Sequence, residues 1–328
     1  MEAVRLGTIG SGVIVHSVLD NVRDADGISL EAVYSRTSEK AEALAETYGA
    51  SRTFTDINAF VNDDSINTVY IASPNLLHYE QARLALMAGK NVICEKPFVT
   101  RFTQAQELRD IAREKGLFLF EAAPTVHLPN FKLLREKLPL IGRVRLVMSN
   151  YSQYSSRYDA VLKGEHPNIF NPEFAGGCLM DINFYNILLN NALFGRPESA
   201  EYFPNIYPGL ADTSGVMVMK YDGFVSTNAG AKDTWGINHF TIEGEKGFIH
   251  VDEPNGLKSI RVVTRDSDDT YNLQPVPDRW HYEVEEITRL MLSDAYGEAY
   301  SLLEVALDTV SVIETARKDA GIIFPGDE

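Results

Sequence analysis

The chain has 328 residues, 45% hydrophobic and 23% charged, and carries a formal net charge of −16. That length favours two domains over one core, and that composition is typical of a chain that buries its apolar residues. The charge disfavours nucleic acid and anionic membranes, which reward clustered Lys and Arg. No run approaches the roughly eighteen apolar residues of a bilayer span, and the N-terminus lacks a secretory pattern. Two cysteines, Cys94 and Cys178, cannot staple a chain this long, so a reducing cytoplasm is the expected compartment.

In chain order, Val4 to Ile9 is a β-branched and aliphatic run that ends at glycines, a buried strand, and Val13 to Val22 is a helix. Ile28 to Tyr34 is the next strand, followed by a helix from Ser38 to Tyr48 that Gly49 stops. Asp56 caps a short helix through Val61. Then come strand Thr68 to Ile71, helix Leu76 to Ala88, strand Asn91 to Cys94, helix Thr103 to Lys115 and strand Phe118 to Phe120. Five alternations of strand and helix describe a parallel sheet covered on both faces. Near Ala123 the rhythm changes. A helical segment from Asn130 to Leu138 leads to an alternating run from Arg143 to Tyr154, a loop rich in Pro, Asn and Gly, and a helix from Met180 to Phe194. Asp222-Gly223 between Tyr221 and Phe224 predicts a type I′ hairpin, and Gly244 to Gly247 predicts another turn. Two helices, Trp280 to Ser293 and Ser301 to Ala320, close the chain. The expected class is α/β. Residues 1–122 form a dinucleotide-binding domain, and residues 123–328 form an α/β domain with an open, mostly antiparallel sheet.

Gly10-Ser11-Gly12-Val13-Ile14-Val15 meets the first two positions of the G-x-G-x-x-G/A fingerprint and not the third. Gly10 permits a sharp turn, and Gly12 permits close approach to a pyrophosphate on the helix N-terminus, the device of a Rossmann domain. Two glycines after a strand are also compatible with a plain turn. Their position at the first strand–helix junction favours the coenzyme. The second strand ends in Ser35-Arg36-Thr37, with no acid to hold a ribose 2′-hydroxyl, so NADP is favoured over NAD. The competing role for Arg36 is stacking on adenine.

Ser73-Pro74-Asn75-Leu76-Leu77-His78, followed by Ala88-Gly89-Lys90-Asn91-Val92-Ile93-Cys94-Glu95-Lys96-Pro97, closely resembles the glucose–fructose oxidoreductase/inositol dehydrogenase/MocA family. Gly176 to Tyr185 is similar to the family's second segment, G-G-x-x-x-D-x-G-x-H/Y. The resemblance covers nearly the whole chain. It implies that Ser73, Pro74, Asn75, His78, Glu95, Lys96 and Pro97 lie beside the coenzyme, with Lys96, Asp181 and Tyr185 catalytic. Tyrosine at 185 is similar to the glucose–fructose oxidoreductase and dimeric dihydrodiol dehydrogenase branches and implies nearness to the latter. Asn183 replaces a usual glycine, which could reshape the substrate pocket, and Val15 replaces a small residue. The implied protein is an NAD(P)-dependent oxidoreductase acting on a sugar, inositol, polyol or related compound, and a homodimer or higher oligomer through the second domain's sheet. The alternatives are a nicotinamide-dependent glycosidase with transient oxidation and a non-catalytic cofactor-sensing regulator.

The chemistry accords with those residues. Alcohol oxidation sends hydride to a nicotinamide and a proton to the protein. A lysine at the C-terminal end of a strand sits where open α/β sheets bind ligands. Asp181 and Tyr185, four residues apart, share a face if helical. The seven histidines show no metal-ligand spacing, so no metal is expected. The hydroxyl-dense run Tyr151 to Tyr158 is a candidate for sugar contacts or simply a polar loop.

Overall fold

The computed structural model describes residues 1–327, which divide into two compact units. The first comprises Met1–Ala123 and Asp278–Leu307. Its elements run β1 (Val4–Ile9), α1 (Val13–Asp24), β2 (Ile28–Tyr34), α2 (Ser38–Tyr48), β3 (Arg52–Phe54), α3 (Ile57–Val61), β4 (Thr68–Ile71), α4 (His78–Met87), β5 (Asn91–Glu95), α5 (Phe102–Lys115) and β6 (Leu119–Ala122). The six strands are all parallel in the order β3-β2-β1-β4-β5-β6, the doubly wound order. Strand order reverses between β1 and β4, and the crevice at their C-terminal ends is where such sheets take ligands. Strand β3 went unpredicted because Arg52, Thr53 and Phe54 are a short, mostly exposed edge with no alternation to read.

Local chemistry explains the boundaries. Asp56 caps α3 by accepting from the Asn58 amide at 2.8 Å, and Gly49 (φ 77°) ends α2 in the left-handed region. The helix Arg279–Leu292, expected with the second domain, belongs to this unit. Its Val284, Ile287, Leu290 and Met291 form one apolar face that packs with Val4, Leu6, Val18 and Val22 of β1 and α1. Asp278 caps it, accepting from the Trp280 amide at 3.0 Å and from Asn21 of α1 at 2.7 Å.

The second unit comprises Pro124–Pro277 and the described residues from Asp308 onward. It contains α6 (Pro129–Lys137), β7 (Val144–Ser152), α7 (Tyr158–Leu162), a π-helical turn at Leu179–Asn183, α8 (Phe184–Phe194) and seven further strands. These are β8 (Ser199–Ile206), β9 (Asp212–Tyr221), β10 (Phe224–Ala231), β11 (His239–Gly244), β12 (Gly247–Asp252), β13 (Ser259–Thr264) and β14 (Asp268–Tyr271). They form an eight-stranded sheet, β14-β13-β12-β11-β7-β10-β9-β8, antiparallel throughout except for the parallel pair β7–β10. The closing helices are α9 (Arg279–Leu292) and α10 (Tyr296–Asp319), the latter beginning five residues before the expected Ser301. Tyr221 pairs with Phe224 across the expected hairpin. Only Gly223 (φ 86°) of the two turn residues lies in the left-handed region, so the turn is not type I′.

Polar groups fasten α8 to the sheet. Asn186 donates to the Ala229 carbonyl at 2.9 Å and Asn190 to Asn228 Oδ1 at 2.8 Å, an oxygen that also accepts from Ser149. Such bonds in a buried interface fix one docking arrangement, because each alternative leaves an amide unsatisfied.

Candidate active site

At the end of β1, Gly10 has φ 117°, and a Cβ there would lie 2.5 Å from the Ala72 carbonyl oxygen at the end of β4. Only glycine lets the two strand ends approach this closely. Gly12 is the N-cap of α1, with open space where its Cβ would be. No side chain caps that helix and no acid occupies its first turn, so its amides face outward beside Val13, 82% exposed, and the partly exposed Ile14. This is the arrangement that receives a phosphate. Val15, the departure from the small third residue, is fully buried in the core. At the end of β2, Ser35 is buried, whereas Arg36, Thr37 and Lys40 are exposed. Arg36 and Lys40 form no ion pair among the described residues. Two uncommitted cations and an open helix N-terminus fit a phosphorylated dinucleotide.

The loop after β5 is tied to the loop after β4. His78 is buried, with Nε2 2.7 Å from the Ser73 carbonyl and Nδ1 3.1 Å from the Pro97 carbonyl. Burial lowers its pKa, against the carbonyls that its two ring nitrogens face. Ser73 also donates to Gln81 at 2.6 Å. Pro74 stands exposed and Asn75 begins a 3₁₀ turn ahead of α4. One buried imidazole thus joins two of the segments that the sequence singled out.

Lys96 is half-buried at the C-terminal end of β5, before a cis peptide to Pro97. Around it lie acids, of which the sequence reading named only Glu95. Glu95 Oε1 accepts from Tyr70 at 2.7 Å, and Glu121 Oε1 accepts from the Phe98 amide at 3.0 Å. Burial raises Glu95, against the Tyr70 hydrogen bond and the Lys96 charge. Burial likewise raises Glu121 to about 8, opposed by the Phe98 amide and by Lys96. Glu283 of α9 is buried and pushed well up, next by repulsion from Glu95. Lys96 therefore stands among carboxyls whose pKa values burial raises, a setting that recurs where side chains exchange protons.

In the second unit, Asp181 lies in the π turn rather than in a plain α-helix, and Tyr185 lies in the first turn of α8. The widened turn alters the expected four-residue geometry, and such turns recur at functional sites. Asp181 is partly exposed and forms an ion pair with the buried Lys232, 51 residues away. Asp212 holds the entry to the turn. It accepts from the Leu179 amide at 2.7 Å and from Tyr202 at 2.5 Å, and burial raises it to about 6. A Cβ on Gly177 would strike Asp212 Oδ1, so that glycine is required too. Tyr185 is buried, with its ring 5.9 Å from Tyr151 in an edge-to-face arrangement. Asn183, in place of the usual glycine, is fully buried against β10 and donates to the Asn228 carbonyl at 3.1 Å.

Lys232, Asp212, Glu121 and Glu283 carry no local sequence signal, because each acquires its role only through a partner distant in the chain. Cys94 and Cys178 are buried free thiols raised well above the usual range by burial, as inert thiols are. No cluster of three or more His, Cys, Asp or Glu able to hold a metal occurs among the described residues, and no described helix is long and apolar enough to cross a membrane.

A doubly wound parallel sheet with an open phosphate corner and a lysine loop beside its switch point, joined in one chain to an open mixed sheet, defines an NAD(P)-dependent oxidoreductase. Residues 4–122 match the family model described as oxidoreductase family, NAD-binding Rossmann fold, and residues 139–250 match the GFO/IDH/MocA C-terminal domain. The chain is 36% identical to the uncharacterized oxidoreductase YgjR of Escherichia coli K12, over 99% of its own length and 98% of that protein. It is also 36% identical to the scyllo-inositol 2-dehydrogenase (NADP(+)) IolU of Bacillus subtilis 168, over 99% of each. Among solved structures, KijD10, a 3-ketoreductase from Actinomadura kijaniata in complex with NADP and TDP-benzene, superposes with a TM-score of 0.83 at 22% identity, over 96% of this chain and 97% of that one. The chain belongs to the GFO/IDH/MocA oxidoreductase family.

Proposed function

We propose that the protein is an NADP-preferring dehydrogenase or reductase of a neutral polyhydroxylated ring, an inositol or a sugar, with Lys96, Asp181 and Tyr185 as its catalytic residues. The observation that carries the reading is the position of Lys96 at the C-terminal end of β5, next to the β1–β4 switch point, among carboxyls with raised pKa values. A bound nicotinamide supplies the acceptor or donor of hydride. Lys96 takes the hydroxyl proton as the C–H hydride leaves, and returns it in the reverse direction. Asp181, paired with Lys232, is held as a carboxylate that accepts from a substrate hydroxyl. Tyr185 presents a phenol four residues further on. Arg36 and Lys40 favour a 2′-phosphate.

Relatives at 36% identity, one of them an inositol dehydrogenase, weigh toward a cyclitol. Nearness to the dihydrodiol dehydrogenase-like branch rests on Tyr185 alone. Two further parts of the reading have physical support. The face of the second sheet opposite α8 exposes Phe203, Val216 and Val225, which fits association of two copies through that sheet. Two buried free thiols fit a reducing cytoplasm. The test is turnover of a panel of inositols and sugars with NADP(H) and NAD(H). Coenzyme turnover with an inositol or sugar is expected. Absence of turnover across that panel, with coenzyme bound, defeats the reading.

A further inference from the structure

The loop that leaves β10 exposes two large apolar side chains, Trp235 (78% exposed) and Ile237 (83% exposed). The loop is nevertheless held on both sides. The Gln153 and Ser155 amides donate to the Ala231 and Lys232 carbonyls at 2.8 and 2.9 Å, Asn150 donates to the Ile237 carbonyl at 2.9 Å, and the Ser152 amide donates to Asn238 at 2.8 Å. The indole of Trp235 lies almost parallel on Tyr154, with centroids 5.8 Å apart and planes 9° apart. Tyr154 meets Tyr158 edge-on at 6.0 Å, and Tyr158 meets the buried Phe170 at 6.2 Å. The ammonium of Lys232 lies 6.0 Å from the Phe170 ring and pairs with Asp181. An unbroken series of rings therefore connects the Asp181–Lys232 pair to an indole fixed in the open.

The polar groups on this shelf select among ligands. Tyr154 donates to Asp159 at 2.7 Å, and Asp233 accepts from Thr213 and Ser214 at 2.7 and 2.9 Å. Lys232 is committed to Asp181, which leaves Asp159 and Asp233 against the exposed Arg157. A net acidic shelf repels phosphate and nucleotide groups and offers acceptors to hydroxyls. A flat aromatic face beside the carboxylates of Asp159 and Asp233 suits the C–H face of a neutral pyranose, with the ring's hydroxyls turned to those acceptors.

We infer that Trp235 and Tyr154 form a subsite for a second, non-reacting neutral glycosyl ring, so that the preferred substrates are two-ring glycosides. This deepens the reading above and rests on it in placing the reacting ring at Asp181. The chain has two tryptophans, Trp235 and Trp280, so a Trp280→Phe background makes the indole of Trp235 its own reporter. Titration of that protein with cellobiose and with galactinol, an inositol galactoside, should quench or shift its emission saturably at concentrations where glucose, inositol and glucose 6-phosphate do not. In steady-state assays, kcat/KM for the two-ring member of a turned-over pair should exceed that of the single ring by about tenfold. Trp235→Ala should reduce that preference about five- to tenfold through KM. Equal responses to one- and two-ring sugars, or no response of Trp235 to either, overturn the subsite even if inositols are turned over. Dissociation of an oligomer on Trp235→Ala, seen by sedimentation, also overturns it, since a second copy would then cover the shelf. Saturable two-ring binding without turnover of any member keeps the subsite and defeats the proposed reaction.

Discussion

Lys96 and Arg36 are both lysine-or-arginine positions at strand ends, yet their surroundings give them opposite tasks. Arg36 is exposed and uncommitted, which suits the grip of a phosphate. Arg36→Ala should erase much of a preference for NADPH over NADH while leaving NADH binding nearly unchanged. Charge-assisted bonds of about 1.5–3 kcal/mol correspond to roughly ten- to a hundredfold in affinity. Titration of both reduced coenzymes checks this, and an equal loss for both would assign Arg36 to adenine stacking. Lys96 is half-buried beside Glu95 and Glu121, whose raised pKa values are opposed by its charge. Lys96→Met should retain coenzyme binding and lose about 10²–10⁴ in kcat, the usual contribution of a general acid or base. Wild-type kcat in that variant would remove the lysine from proton transfer. Tyr185 has a double identity, because its ring packs on Tyr151 while its hydroxyl is the candidate donor. Tyr185→Phe keeps the packing, so a fall in kcat with unchanged thermal stability would separate the two roles.

Among elements, the β1–α1 corner carries the sharpest steric demand. At Gly10 an added Cβ meets a backbone oxygen at 2.5 Å under φ 117°, and neither atom has room to yield. Gly10→Ala should therefore cost at least about 2 kcal/mol in urea unfolding. Gly12→Ala faces open space, so it should lose only about 1 kcal/mol of cap preference while weakening coenzyme binding. Equal destabilisation by the two substitutions would mean that Gly12 is as sterically bound as Gly10. This corner was legible in the sequence because glycine is the residue that such geometry demands, and the helix stops at Gly49 and the hairpin at Gly223 were legible for the same reason. The hairpin's turn type was not, since Asp222 tolerates either sign of φ and tertiary twist decides between them. The segment Gly176 to Tyr185 was found by its pattern. Its π turn was hidden because that turn depends on Asp212, across the unit, gripping the Leu179 amide. Lys232 was hidden likewise, since a lysine after a strand reads as a solvated residue until the ion pair with Asp181 is seen.

On the scale of the whole molecule, α9 brings Glu283 into the first unit and completes a buried acidic group with Glu95 of β5 and Glu121 of β6. A boundary set by the change of sequence rhythm could not anticipate this, because the rhythm reports neighbours in the chain and not the apolar face on which α9 docks. The assembly has a consequence for pH. All three carboxyls have folded-state pKa values raised by burial, so the folded chain binds more protons than the unfolded chain above the ordinary carboxyl range. For Glu121 the stabilisation is fully present below its ordinary 4.5 and is lost as pH rises through about 8. At about 1.4 kcal/mol for each tenfold change in proton affinity, the upper bound for that residue is about 5 kcal/mol. Glu121→Gln keeps an oxygen for the Phe98 amide and cannot ionise. It should match the wild type in stability at pH 5 and exceed it at pH 9, when both are unfolded in urea across that range. Parallel pH profiles for the two proteins would mean that Glu121 is already ionised in the folded state at neutral pH, with the Lys96 charge outweighing burial.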